Sequence, residues 1–480
     1  MKSNRRDFLR LTGLTSIGLL GGCNLKGTHL AGEESKSSTL DHIKKESEKS
    51  YSQLFNMSGY DAAPKLDTVR VGFVGLGGRG SAAVSRLSYI EGVKINGLCD
   101  VVPEQAEAAK QRIKTPGHSP VVFSGDEESW MEMCRRDDLD LIYIATPWPL
   151  HAPIAIYAME HGKHVATEIP AATTVEDCWK LVQTSERTKK HCVILENCCY
   201  DFFEMLTLNL ARNGFFGDII HCEGAYIHDI GESLFFRGKP NRSWRLKENM
   251  TRNGCLYPTH GLGPVAQIMN INRGNQMDYL VSTSTDDFLM NNIAKKLTES
   301  EDYFQQFVDA PFRGNMNTTT IKTVSGQTIM IQHDVTTPRP YSRIHLVSGT
   351  KATAQKYPLP PRIATGHKGW ISEEEFKKLE KEFTPPIVQK LGEMAKKIGG
   401  HGGMDFLMDW RLIDCLRNGL PVDMDVYDAA AWSVIGPLSE WSVANRSTPI
   451  DIPDFTSGEW KNNKPHDISL KNGGTTGVQI

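Results

Sequence analysis

Gly75, Gly77 and Gly80 are spaced as G-x-G-x-x-G within VRVGFVGLGGRG, from Val69 to Gly80. The first glycine lets the chain turn sharply out of a strand. The second lets backbone N–H groups approach a pyrophosphate, and the third lets the following helix pack closely on the sheet. The N-terminus of that helix then turns its partial positive charge toward the phosphates, and Gly78 and Arg79 stand at that end. Asp100 ends the next apolar run. An acid there hydrogen-bonds the adenosine ribose hydroxyls and repels a 2′-phosphate, so NAD is expected rather than NADP. Arg79 pulls the other way, because a cation in this loop tolerates that phosphate. The chemistry on offer is hydride transfer. No metal is expected: His164, His221, His228 and His260 are scattered without ligand spacing, and the ten cysteines form no C-x-x-C.

The elements that must carry this loop alternate from Val69 onward. Strands are predicted at 69–74, 93–99, 139–145, 164–167 and 192–195, with helices at 78–90, 103–113, 153–161 and 175–189. The strands are apolar on both faces, as buried parallel strands are. The pattern predicts an α/β fold, an N-terminal Rossmann-type doubly wound parallel sheet over 67–199. Past residue 200 a helix at 203–213 leads into alternating runs such as DYLVSTSTD and TTTIKTVSGQTIMIQHDVTT. Helices return at 373–383, 404–416 and 426–444. This half, 200–460, reads as an α+β substrate domain with a largely antiparallel sheet. Residues 461–480 read as a tail.

The first 23 residues read as an address. RRDFLR fits the twin-arginine export pattern, and the apolar run that follows is too short to span a bilayer. LGGC then resembles a lipoprotein box with Cys23 as the lipidated residue. Polar residues 24–66 read as a flexible tether. The chain is therefore expected to be exported and anchored, facing the periplasm or cell surface, and to touch the membrane only through Cys23. A net charge of −3 over 480 residues favours neither nucleic acid nor an anionic surface. The other cysteines are expected to be reduced and structural. A second sheet of this kind could also pair with its own copy in a homo-oligomer. An exported protein cannot draw on cytoplasmic NAD, so a cofactor would have to travel bound and be recycled in place.

GLGGRG, ATPWPLH, EIP and ENCCY stand in the order and spacing of the Gfo/Idh/MocA oxidoreductase superfamily. LYPTHGLGP, TTPRPYSR, GGHGGMDF and NRSTPIDIPDFTSGEW further resemble glycoside hydrolase family 109, whose activity is α-N-acetylgalactosaminidase. The resemblance implies that Gly78 and Arg79 touch the NAD phosphates and Asp100 the ribose. It places Trp148, Pro149, Leu150 and His151 along the cofactor, with Glu168, Ile169 and Asn197 near the nicotinamide. Tyr226, Arg245, Tyr257, His260 and Tyr341 would line a pocket for a glycan ending in α-linked N-acetylgalactosamine. Ile169 stands where related dehydrogenases often carry a proton-transferring lysine.

NAD-dependent glycosidases depart from the usual two-carboxylate scheme. Oxidation at C3 acidifies the C2 hydrogen, the aglycone leaves C1 by elimination, water adds, and C3 is reduced again. A base near neutral pKa is needed. His260 is the first candidate, Tyr257 a phenol or phenolate assistant, and Tyr200 a reserve. Glu168, Glu196 and Glu223 are the candidates for an ordinary two-acid mechanism. The competing functions are an exported sugar oxidoreductase with tightly bound NAD(P) and a non-catalytic sugar-binding lipoprotein.

Overall fold

The computed structural model describes residues 39–59, 63–235 and 244–479. The expected signal, Cys23 and the start of the tether lie outside them. Two sheets organise the chain. The first has six parallel strands: β1 (Val69–Val74), β2 (Val93–Asp100), β3 (Val121–Ser124), β4 (Leu141–Ile144), β5 (His164–Thr167) and β6 (Cys192–Ile194). Their order is β3-β2-β1-β4-β5-β6. Strand order reverses between β1 and β4, and ligands of open α/β sheets bind in the crevice at that point. This is the expected doubly wound fold.

The second sheet has eight strands: β7 (Ile219–Ile227), β8 (Met277–Ser284), β9 (Met316–Thr323), β10 (Thr328–Asp334), β11 (Leu346–Gly349), β12 (Thr353–Gln355), β13 (Arg362–Ala364) and β14 (Ile450–Asp451). They run in the order β13-β12-β11-β7-β10-β9-β8-β14. Only the β10–β7 pair is parallel, so the sheet is mixed and mostly antiparallel. One helix, Thr259–Ile268, lies against β7 and against the short Asn197–Tyr200 turn after β6. It joins the two sheets at the level of the crevice.

Several local expectations change. β3 and the Ser129–Cys134 helix were not predicted. The single helix expected at 426–444 is two, Val426–Ser433 and Ile435–Ala444. Pro437 has no N–H to donate, and its ring crowds the carbonyl four residues back, at Ser433. The segment expected to be flexible is helical over 39–47 and docked beyond it. Trp179 Nε1 donates to the Glu46 carbonyl at 3.1 Å, Gln53 Nε2 to Tyr427 Oη at 2.7 Å, and the Leu54 N–H to Glu186 at 2.8 Å. Ile43, Tyr51 and Phe55 pack against the core. The tail also folds back: the Glu91 N–H donates to the Gly477 carbonyl at 3.0 Å, and the Gln479 N–H to the Tyr89 carbonyl at 2.7 Å. All nine described cysteines are free and buried.

Candidate active site

The glycine loop forms an open cradle. Gly75 has φ 85°, and a Cβ there would lie 2.6 Å from the Ala145 carbonyl oxygen. A Cβ on Gly80 would lie 1.9 Å from the Gly75 carbonyl oxygen, which is the close helix–strand packing its spacing implied. In front of Gly78 a Cβ would meet nothing within 4 Å, and at Gly77 only Gln105 Oε1 at 3.9 Å. The Gly78–Ser88 helix begins without a side-chain cap, so its first N–H groups remain for an anion. Asp100 flanks the cradle, accepting from the Leu76 N–H at 2.6 Å and the Val102 N–H at 2.8 Å. It shapes the loop as well as presenting a carboxylate beside it. These residues fit a dinucleotide.

The residues expected around the rest of the cofactor divide. Arg79 is held by carboxylates: its Nη2 lies 2.7 Å from Glu168 Oε1, and its Nη1 3.0 Å from Asp405 Oδ2. Burial lowers the guanidinium pKa, and the charges of Glu168 and Asp405 more than reverse this. Asn197 Nδ2 donates to Asp405 Oδ1 at 2.5 Å. Pro149 and Leu150 are exposed, whereas Trp148, His151 and Ile169 are buried. Both ring nitrogens of His151 lie 2.7 Å from backbone carbonyls, those of Pro170 and Thr146. The imidazole therefore ties together the loops after β4 and β5.

Beside the crevice stands a pair that sequence spacing did not reveal. His260 Nδ1 lies 2.7 Å from Glu196 Oε1, across 64 positions. Glu196 lies two residues past the end of β6, at the start of the Asn197–Tyr200 turn, and is fully buried. Burial pushes its carboxyl pKa up, but the His260 charge and hydrogen bond hold it below its ordinary value. An ionised Glu196 accepts the Nδ1 proton and leaves Nε2 as the basic nitrogen. Glycines make the approach. A Cβ on Gly261 would lie 2.2 Å from the Ala225 nitrogen of β7, and one on Gly263 2.8 Å from Glu196 Cγ. The HGLG run was the signal available in the sequence. Glu196, Cys198 and His260 each offer a donor atom within 4.8 Å of the others, the one such trio among the described residues.

Aromatic rings wall the space around His260. Ring centroids lie 5.0 Å away for Tyr257 and 5.3 Å for Tyr226. Tyr257 precedes the helix rather than sharing its face, because the helix begins at Thr259. It stacks on Trp148 at 5.5 Å. Burial pushes its phenol pKa well above the ordinary value, against the pull of Arg245. Tyr257 is thus a neutral proton donor, and the phenolate role expected for it is disfavoured. Arg245 places its guanidinium carbon 5.2 Å from the Trp148 ring and 5.5 Å from that of Tyr257, cation–π contacts that fix its position. Tyr226 Oη lies 2.9 Å from His228 Nδ1. Tyr200 turns elsewhere, donating to Asp423 at 2.9 Å, and so is not placed with these rings. Of the other acids, Glu168 is held by Arg79, while Glu223 lies 3.5 Å from His221.

Tyr341, at the rim, is braced from behind. Arg343 Nη1 donates to its hydroxyl at 3.2 Å, and Arg343 Nη2 reaches Glu204 at 2.6 Å and Asp201 at 2.7 Å. Lys356 Nζ donates to Glu204 at 2.8 Å. Burial raises the Glu204 pKa, but Arg343 and Lys356 take it from 4.5 down to about 2. A depressed folded-state pKa stabilises the fold above the unfolded value and loses that effect as pH falls through the folded one. Glu204→Gln is therefore expected to cost about 3–5 kcal/mol near neutral pH. The urea midpoint of the variant should vary less than the parent's as pH falls from 4.5 toward 2. An unchanged midpoint at neutral pH would contradict this.

Comparison with known proteins agrees with this division of labour. The profile described as "Oxidoreductase family, NAD-binding Rossmann fold" matches residues 69–196. That described as "Glycosyl hydrolase 109, C-terminal domain" matches 200–462. An α-N-acetylgalactosaminidase of Bacteroides fragilis is 49% identical over 410 residues, 83% of this chain and 95% of its own. Glycosyl hydrolase family 109 protein 1 of Phocaeicola vulgatus is 47% identical over 414 residues, 83% and 86% of the two chains. In fold, a scyllo-inositol dehydrogenase from Lactobacillus casei, solved with NAD(H) and scyllo-inositol, superposes with a TM-score of 0.56 at 15% identity. That alignment covers 80% of this chain and 99% of the dehydrogenase.

Proposed function

This chain belongs to glycosyl hydrolase family 109, and from that premise we propose that it removes terminal α-linked N-acetylgalactosamine by transient oxidation at C3. It is an NAD-binding glycosidase. The observation that carries the finer reading is the Glu196–His260 pair, which faces two tyrosines, Tyr226 and Tyr257, while the glycine loop forms an open dinucleotide cradle. NAD, held by the glycine cradle and Asp100, would supply a hydride acceptor at C3, the hydroxyl proton leaving with oxidation and returning with reduction, so that no net redox change would remain.

The chain's own residues do the proton work. His260 Nε2 takes the proton from C2 once C3 is a ketone, and the C1–O bond to the aglycone breaks as the C1–C2 double bond forms. Tyr257, a neutral phenol, is placed to donate a hydrogen bond to the sugar oxygens. Water then adds at C1, its proton balancing the one taken up by the departed aglycone oxygen, and His260 gives a proton back to C2. Glu196 holds the imidazole tautomer throughout. Arg245, Tyr226 and Tyr341 orient the sugar.

The test is direct. Protein carrying its own cofactor is given p-nitrophenyl α-N-acetylgalactosaminide with no NAD added. Nitrophenol release is expected. Sugar-dependent absorbance at 340 nm without release would instead indicate a sugar oxidoreductase, and neither signal a binding protein. We also propose export by the twin-arginine route, with anchoring through Cys23. That route carries folded proteins, so the cofactor would cross already bound.

A further inference from the structure

The GGHGGMDF motif is not used by the chemistry above, yet its side chains reach the cofactor crevice. We propose that residues 399–405 form a clasp that keeps NAD in place between turnovers, with Asp405, braced by His401, holding Arg79 across the cleft. The inference rests on the NAD-dependent reading and deepens it.

The topology places the clasp. Arg79 follows β1, and Glu168 follows β5, with β4 between those strands. The Arg79–Glu168 ion pair therefore spans the carboxyl edge of the sheet, over the crevice where strand order reverses. Glu168 alone would tie Arg79 to its own sheet. Asp405 ties it to the other half of the chain. Its carboxylate receives Arg79 at 3.0 Å, Arg86 at 3.5 Å, His401 Nδ1 at 2.9 Å and Asn197 Nδ2 at 2.5 Å. These partners come from the Gly78–Ser88 helix, the turn after β6 and the His401–Gly403 turn just before Asp405.

Asp405 is 1% exposed. Burial alone raises its pKa, but the His401 hydrogen bond and the charges of Arg79 and Arg86 hold it well below the usual carboxylate range. A buried carboxylate with three hydrogen-bond donors and a further arginine charge beside it is a fixed anchor. The loop that presents it is built for close approach. Gly399, Gly400, Gly402 and Gly403 all have positive φ, and His401 between them has φ 46°. A Cβ on Gly400 would lie 2.6 Å from Asp405 Cβ. A non-glycine residue in the left-handed region is uncommon. Here the His401–Asp405 hydrogen bond holds it there, and Nδ1, its proton turned to Asp405, braces that carboxylate rather than accepting from Arg79, 3.2 Å away. His401 is the outermost member, with its side chain 57% exposed. For NAD to leave, Arg79 must let go of Asp405, Glu168 or both.

The test measures cofactor loss rather than hydrolysis. Purified holoprotein is incubated with an NAD glycohydrolase, which destroys any NAD that is released. Remaining bound NAD is followed over time for the parent, His401→Ala and Asp405→Asn. Loss of a charge-assisted hydrogen bond should shorten the retention half-time of Asp405→Asn about tenfold or more. His401→Ala should shorten it several-fold. Should Asp405→Asn fail to fold, the exposed His401→Ala carries the test. Equal retention by the parent and His401→Ala would overturn the clasp while leaving the hydrolase reading intact. A parent that hydrolyses its substrate yet purifies without nicotinamide would overturn both.

Discussion

Glu196→Gln is expected to lower kcat by about 10³–10⁴-fold, because an isosteric amide reverses the hydrogen bond that sets the His260 tautomer. The carboxylate accepts the Nδ1 proton at 2.7 Å. A glutamine can present its NH₂ to Nδ1 instead, which puts the ring proton on Nε2 and removes the base from the sugar side. Shape and volume hardly change, so the melting temperature should shift little compared with the loss of rate. A role confined to packing would give the opposite pattern. A variant within about tenfold of the parent would mean that the tautomer is set by something else.

His260→Ala should be nearly as damaging. Removal of a general base typically costs about 10²–10⁴-fold. Tyr257 cannot stand in for it, since burial holds that phenol neutral. NAD content should be unchanged, because the glycine cradle, Asp100 and Asp405 are made by other elements. Bound nicotinamide, measured after heat release, separates loss of the base from loss of the cofactor. Full activity with NAD retained would remove His260 from the mechanism.

What could be read from the sequence follows local rules. The glycine loop, the buried strands and Asp100 were legible because each is a short-range pattern with one physical meaning. His260 and Tyr257 stood out as residue types in a resembling motif. Their relation to Glu196 did not, since it depends on the Thr259–Ile268 helix packing on β7 through Gly261 and Gly224. The Arg79–Asp405 pair was hidden for the same reason, as it joins positions 326 apart. β3 escaped because it is four residues long, with its first residue, Val121, 43% exposed. The break after Ser433 was visible in Pro437, but the apolar run around it reads as one helix. The ordered 39–59 segment was missed because polar groups, Glu46, Gln53 and the Leu54 N–H, do much of its docking.

The reaction leaves a mark on the sugar itself. Substrate carrying deuterium at C2 is hydrolysed in ordinary water, and the released N-acetylgalactosamine is examined by mass spectrometry and NMR. Removal of the C2 deuteron by His260, exchange of the imidazolium with water and return of a proton predict that the product has lost its label, and that the labelled substrate reacts more slowly. Product that keeps all its deuterium, formed at the unlabelled rate, would contradict bond cleavage by way of a C3 ketone.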